Sequence, residues 1–439
     1  LDSAQITNLV DSDYVTARSG GGADLYVAET TGSTNPTAAG VLAIGIGSSA
    51  VASGACAIAI GNTATASGAC GVAIGFNARA CTNYGVAIGM NACSQNGAVA
   101  IGCGARTSAV RATALGYDAS AGYQGMALGY TACSSGNFSS AFGYYASAMN
   151  GVCSLALGRS RAGGAQSTAI GIDTTSASYG ASGACSLAIG FCAKATGECG
   201  IGIGQKAYST ANHAVAIGKQ QTASGVGATS IGNNYAGSNI ASGENSLIVT
   251  GGGANATQKR SMVFGSYSKS CACLSIAIGV TALADTIGKV AIATDGFSPE
   301  YNVAGDAQRG IYMLRLATTD ATQTALSATD DAAGSTNQII LRNNSAYAFH
   351  GTIVGRESAA GGTESAAFKI EGLVRREGAA NTTTLVNSAI TTLSNADGWG
   401  GIALVADTSN GALKINVTGK AATNIRWVAT IDTSEVIYA

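Results

Sequence analysis

Proline is nearly missing from this 439-residue chain, which has two, and histidine is equally scarce at two. Charged residues make up 11% of the sequence. Each shortage excludes something. A collagen helix or a proline-rich linker would need far more proline. Two imidazoles leave little material for histidine-based proton transfer at neutral pH. So few charges cannot form the dense basic field of a nucleic-acid binder. No run of about 18 apolar residues is uninterrupted, so no transmembrane helix is expected. No basic-then-apolar signal peptide opens the chain, and Leu1 in first place leaves a processed or partial chain open.

What is present is glycine, at 62 residues, about twice the roughly 30 of average usage. Hydrophobic residues reach 46%, which speaks against disorder. A helical enzyme fits poorly, since each interior glycine costs a helix about 1 kcal/mol. Charge is unevenly placed: residues 1–40 sum to −4, residues 41–288 to +6 and residues 289–439 to −3.

The middle of the chain is a repeat. A tripeptide of the form Ala-(Ile/Leu/Phe)-Gly, with variants, ends at Gly45, Gly61, Gly75, Gly89, Gly102, Gly116, Gly129, Gly143, Gly158, Gly171, Gly190, Gly204, Gly218, Gly232, Gly265 and Gly279. Most gaps are 13 to 16 residues. The longer gaps before Gly190 and Gly265 predict insertions, the second also a degenerate rung near Gly251. Before the glycines stand two apolar columns, such as Ile58 and Ile60 or Val72 and Ile74, which share one strand face. Between them runs a file of alanines: Ala59, Ala73, Ala87, Ala100, Ala114 and Ala127. Such a file predicts close approach by another backbone. A second small-residue alternation follows each glycine, as in Ala64-Thr65-Ala66, so each rung reads as two short strands. A 14-residue coil encloses little, and stacking alone is expected to leave the alanine face open. Association of three copies around an axis would cover it.

Segments such as Asn62-Thr63-Ala64-Thr65-Ala66-Ser67-Gly68-Ala69-Cys70-Gly71-Val72-Ala73-Ile74-Gly75 resemble the head repeat of trimeric autotransporter adhesins of the YadA type. The resemblance spans residues 41–288 and implies a left-handed parallel β-roll packed as a trimer. Similar rolls occur in bacteriophage fibres. The heptad stalk and membrane-anchoring barrel usual in those adhesins have no counterpart here.

Both prolines, Pro36 and Pro299, sit in irregular stretches that bracket the repeat. Residues 1–40 read as an attachment segment and linker, 41–288 as the roll, 289–310 as a linker and 311–439 as a C-terminal β-sandwich. Candidate strands in the last are Ile311–Leu316, Gln338–Arg342, Ala346–Arg356, Ala366–Arg376, Thr382–Leu393, Ile402–Asp407, Ala412–Thr418 and Asn424–Thr430, with a turn at Ser409-Asn410-Gly411. The opening string, with Asp11-Ser12-Asp13-Tyr14, resembles short elements of cyanophage tail-fibre-like proteins. The final segment, with Phe349-His350-Gly351 and Ile425-Arg426-Trp427, resembles a C-terminal domain of cyanophage structural proteins.

Chemistry is sparse. The acids of the roll, Asp118, Asp173, Glu198, Glu244 and Asp285, form no pair able to flank a glycosidic bond. His213 occupies a repeat column shared with Cys70, Tyr84 and Cys185, and His350 lies in a strand. The glycine-rich turns lack the Lys-Ser/Thr of a phosphate loop, and Gly251-Gly252-Gly253 lacks a calcium-binding aspartate. No zinc spacing joins the twelve cysteines. They are expected to be buried free thiols, with inter-rung disulfides Cys56–Cys70 and Cys185–Cys199 as the alternative. Tyr117, Tyr130 and Tyr144 follow the glycine in three consecutive rungs and form a candidate ladder for surface glycans, with edge packing as the alternative. The expectation is a non-enzymatic trimeric bacteriophage fibre on the virion surface, a structural shaft whose C-terminal tip could recognise the host, without cofactor or metal. Its partners would be other virion proteins and a host-surface glycan or protein, and neither nucleic acid nor membrane. The alternative is the head of a bacterial surface adhesin.

Overall fold

The computed structural model describes residues 23–25, 34–171, 178–234, 239–297, 303–359 and 361–438. The expected attachment segment therefore lies almost wholly outside the described residues, as do Asp173 and Pro299. The chain forms two compact units, Leu1–Lys206 and Ala207–Ala439.

The first unit is a parallel β-solenoid. Each turn carries a three-residue strand and a two-residue strand, for example Ile58–Ile60 with Thr65–Ala66, then Val72–Ile74 with Arg79–Ala80. Successive turns pair in register, Ile58 beside Val72, Ala59 beside Ala73 and Thr65 beside Arg79. The alternation of a strand sends the middle alanine inward and its flanking Ile or Val outward. Ala59, Ala73, Ala87, Ala100, Ala114 and Ala127 are all fully buried within their own chain. This corrects the expectation that they face a second copy. The lumen between the two strands is only methyl-wide, so alanines from both fill it, Ala66 and Ala80 meeting the file from the opposite wall. The Ile/Val ridge is what stacking leaves half open.

Most turns have two corners in left-handed backbone, usually without glycine. Cys56, Cys70, Thr63 and Asn77 have φ of 56°, 54°, 55° and 53°. Such geometry is unfavourable for L-residues. It is offset because each corner amide bonds to the preceding turn: Cys70 N donates to Ala55 O at 2.7 Å and Thr63 N to Ser48 O at 2.9 Å. The rung glycine answers a different need. Gly75 has φ +126°, and a Cβ there would stand 2.7 Å from Gly89 O in the next turn. In the first complete turn the equivalent residue is Gly47 rather than Gly45, which pairs with Ala59 inside the alanine file.

The second unit opens with further turns whose strands are Val215–Lys219, Thr229–Asn233, Leu247–Val249, Met262–Phe264, Ile276–Gly279 and Val290–Ala293. The degenerate rung near Gly251 is there, with Thr250 after its strand where a glycine usually stands. A further rung, Val290–Ala293, ends on Ala293 opposite Gly279.

Beyond the turns stand β1 (Ala307–Thr318), β2 (Gln323–Ala325), β3 (Ile339–Ile340), β4 (Ser345–Glu357), β5 (Ser365–Arg376), β6 (Thr384–Ser394), β7 (Gly401–Asp407), β8 (Ala412–Thr418) and β9 (Ile425–Ile437). They correspond to the expected strands, with β2 added, β1 and β9 extended and β3 shortened to two residues. One antiparallel sheet runs β1-β9-β4-β5-β6. The other centres on β8, flanked by β7 on one side and by β2 and β3 on the other. Tyr312, Tyr347, Phe368 and Trp427 of the first sheet meet Ile339, Leu413, Ile415 and Val417 of the second in one core. Strand β1 also pairs antiparallel with Val290–Ala293, so the last turn of this unit is closed by a reversed strand.

The turn between β7 and β8 hangs on Asp407, whose buried carboxylate accepts from Ser409 N, Asn410 N, Asn410 Nδ2 and Gln338 Nε2 at 2.9–3.1 Å. Lys414 Nζ adds an ion pair at 3.2 Å. Burial alone would raise this acid, but the bonds from Asn410 and Gln338 and the Lys414 ammonium outweigh it and hold the acid well below the carboxylate range. Asp407→Ala is expected to cost about 2–3 kcal/mol at pH 7. A depressed carboxylate stabilises above its unfolded value, so the parent's advantage shrinks as pH falls below about 4. Urea midpoints of both proteins between pH 2 and 7 check this. A pH-independent gap would exclude the carboxylate as its source.

Candidate functional site

The tyrosine ladder exists. Tyr117 and Tyr130 stack with centroids 5.0 Å apart and planes 7° apart, and Tyr130 and Tyr144 at 5.3 Å and 19°. In-register pairing of successive turns imposes this spacing. Tyr145 adds an edge contact to Tyr144 at 4.5 Å, and the Arg159 guanidinium lies 6.0 Å from the Tyr145 ring. All four rings are exposed. Tyr145 escaped the column argument because it occupies the left-handed corner, at φ 53°. Its adjacency to Tyr144 was the available signal. Tyr130 is raised above its ordinary value, first by Tyr145, then by partial desolvation and by Tyr117 and Tyr144. The Tyr130 phenol therefore stays protonated at neutral pH and able to donate. Because the rings give their faces to one another, the ladder presents hydroxyls and edges outward.

The cysteines are free, as expected, but the burial expected of them holds only for Cys192. Inward strand positions are held mostly by alanine and serine, and the thiols stand at corners, as Cys56 and Cys70 do, or on outward strand positions, as Cys93 and Cys133 do. Cys56 and Cys70 are exposed and unbridged, as are Cys185 and Cys199. The Sγ atoms of Cys81 and Cys93 approach to 3.7 Å, a pairing that column spacing could not show because the two occupy different columns.

His213 is an exposed corner residue at φ 57°. His350 faces outward on β4, directly between Asp432 on β9 and Glu371 on β5. Both carboxyls are held low. Arg309 hydrogen-bonds Asp432, and Lys369 pairs with Glu371 at 2.8 Å. Neither can keep a proton at neutral pH to act as a general acid. Among the described residues, no group of three His, Cys, Asp or Glu side chains could hold a metal. A surface hollow of about 460 Å³ beside β1 and β9 is lined by Arg315, Asp330, Arg426 and Trp427. Asp330 already occupies Arg315 at 2.9 Å, and the buried Trp427 ring offers no platform.

The most heavily built polar cluster lies where the last turn of the second unit meets the sandwich. Lys289 occupies the inward column that holds Ser275, Ser261 and Ser246 in earlier turns, and it is fully buried. Its ammonium reaches Glu435 Oε2 at 2.8 Å and Asp285 Oδ1 at 3.4 Å, and lies 5.5 Å from the Tyr312 ring. Glu435 also accepts from Gln308 Nε2 at 2.7 Å and from Tyr312 Oη and Thr433 Oγ1 at 2.8 Å. The linker reading of residues 289–310 concealed this lysine. The string Lys289-Val290-Ala291-Ile292 was the signal, being a rung with a cation in its small-residue column. Every bond of the cluster is internal, so it is a structural fastening rather than a ligand site.

The turns of each unit form a parallel solenoid of short paired strands, filled mostly with alanine and presenting an outward Ile/Val ridge. The family model for the YadA head domain repeat (2 copies) matches residues 57–78, 66–92, 94–119, 120–146 and 195–220, and the chain carries these repeats. No curated protein sequence matches. Among solved structures, the chain is similar to tailspike protein gp49 from Acinetobacter baumannii bacteriophage Fri1, a capsular polysaccharide depolymerase. That likeness has 11% identity over 83% of this chain and 67% of the other, with a TM-score of 0.22. The tailspike protein of Acinetobacter baumannii phage AM24 gives 10% identity, 98% and 80% coverage and a TM-score of 0.17. Scores this low carry no functional argument.

Proposed function

We propose that this chain is a non-enzymatic, homotrimeric fibre of a bacteriophage virion, with the solenoid as shaft and the sandwich as tip. The observation that carries the reading is the outward Ile/Val ridge: a stack of turns whose interior is complete but whose one apolar face stays half open. Three copies around an axis would bury it, and YadA-type head repeats are the sequence context in which that packing is expected. The resemblance of the final segment to cyanophage structural proteins favours a virion over a cell surface. The head of a bacterial adhesin is the second reading, favoured by the repeats themselves.

The tyrosine ladder is the proposed contact for a host-surface glycan, through hydroxyls and ring edges, strengthened by three copies. Light scattering of the native protein is expected to give three times the chain mass; a monomer mass would overturn the trimer. Replacing Tyr117, Tyr130 and Tyr144 together with alanine is expected to weaken binding to host cells tenfold or more while leaving the thermal transition essentially unchanged. Undiminished cell binding by that variant would remove the ladder from recognition.

A further inference from the structure

The tyrosine ladder ends in a cation. After Gly143 the chain spends two residues, Tyr144 and Tyr145, before its next inward residue, Ala146. After Gly158 it spends one. Ser160 stands where Ala146 does, its carbonyl accepting from Ser147 N as that of Ala146 accepts from Cys133 N. Arg159 is therefore the whole of this shortened corner, and its guanidinium lies 6.0 Å from the Tyr145 ring. Among the described residues it makes no hydrogen bond and no ion pair, so its N–H donors are open to a ligand.

The charge around the ladder favours an anion at that end. Residues 34–171 carry five arginines and a single acid, Asp118. Arg161 lines the same small hollow as Arg159, whereas Asp118 follows Tyr117 at the far end. Tyr117, Tyr130, Tyr144 and Arg159 stand on four successive turns, so the two ends lie roughly 14 Å apart.

We infer that the ladder binds an acidic saccharide, laid along the tyrosines with a carboxylate or phosphate group on the Arg159 guanidinium. This rests on the glycan reading above and gives the ligand a charge, an anchor and a direction. Other polyanions fit less well. A nucleic acid would stack its bases on aromatic faces, and these rings give their faces to one another. A peptide strand would need free main-chain groups. Here the corner amides are engaged: Asp118 N, Thr131 N and Tyr145 N donate to Cys103 O, Tyr117 O and Tyr130 O at 2.8–2.9 Å. What remains is hydroxyls, ring edges and one fork of N–H donors, which matches a hydroxyl-rich chain bearing an oxyanion.

The test is binding of the full-length native protein to immobilised bacterial polysaccharides, uronate-bearing and phosphate-bearing, each beside its carboxyl-reduced or dephosphorylated form. The protein is expected to bind an acidic member and to bind the neutralised form at least tenfold more weakly; the arm in which this occurs tells carboxylate from phosphate. R159Q is expected to weaken the same binding tenfold or more. R159K, which keeps the charge but not the fork, should fall between, with both variants melting near the parent. Binding that survives neutralisation or R159Q, yet is lost when Tyr117, Tyr130 and Tyr144 are all alanine, overturns the inference and leaves the ladder as a contact for neutral glycans. Binding untouched by the tyrosine replacements, or no binding to any member, overturns the ladder reading and the inference with it.

Discussion

Glu435→Ala is expected to destabilise the second unit by about 3–5 kcal/mol, the usual cost of stranding one member of a buried ion pair. The Lys289 ammonium would lose its 2.8 Å partner in a column that elsewhere holds serine. Tyr312, Gln308 and Thr433 would each lose an acceptor as well. Burial pulls the Lys289 ammonium down, yet Glu435 and Asp285 outweigh it and hold the lysine well above its ordinary value. A cation raised in this way stabilises fully below its unfolded value near 10.4, so the lysine's contribution is complete across the neutral range and is lost as pH rises into strong alkali. Both tryptophans, Trp399 and Trp427, sit in the sandwich core 5.2 Å apart, so their fluorescence during urea unfolding reads this unit. A Lys289→Met/Glu435→Leu double variant should recover the part of the loss due to the stranded charge, while the Tyr312 hydroxyl stays without its acceptor and Gln308 and Thr433 keep only Leu283 O and Gly310 O. If Glu435→Ala alone loses less than about 1 kcal/mol, the cluster is not a fastening.

Gly75→Ala should damage the first unit comparably, by roughly 2–6 kcal/mol, from backbone strain at φ +126° and from overpacking. The added Cβ would stand 2.7 Å from Gly89 O, and strand spacing fixes that oxygen from both sides. Relief requires two turns to separate. Amide exchange across residues 58–88 should accelerate in the variant, whereas Thr65→Ala, at an outward strand position, should leave it near the parent rate. Unchanged exchange in Gly75→Ala would mean that the glycine column answers to something other than close stacking.

How far the sequence could be read depended on whether a residue's role repeats. The turns were legible because period, strand alternation and glycine recur, each copy checking the others. The face of the alanine file was not legible: small residues signal close approach, but the pattern does not say whether the approaching backbone belongs to another chain or to the same coil. Two strands back to back gave the second answer at Ala59 and Ala73. The sandwich strands were found from local apolar runs and turn residues such as Ser409-Asn410-Gly411. Their pairing partners lie far off in sequence, as with Ile353 and Ala429, and no local pattern encodes them. Lys289 and Glu435 meet across 146 residues. Of the candidate site, three tyrosines were visible by column. Tyr145 stands at a corner outside that column, and the approach of Cys81 to Cys93 joins two different columns, so column spacing showed neither.

The left-handed corners have an evolutionary consequence. Residues as different as Cys56, Tyr84, Arg111, Phe138 and His213 occupy equivalent backbone there, because the amide bond to the previous turn sets the conformation and the side chain points away. Stability and surface chemistry are thus written in separate alphabets: alanine and glycine inside, almost any letter at the corner. Mutation can rewrite the outer text turn by turn without touching the fold.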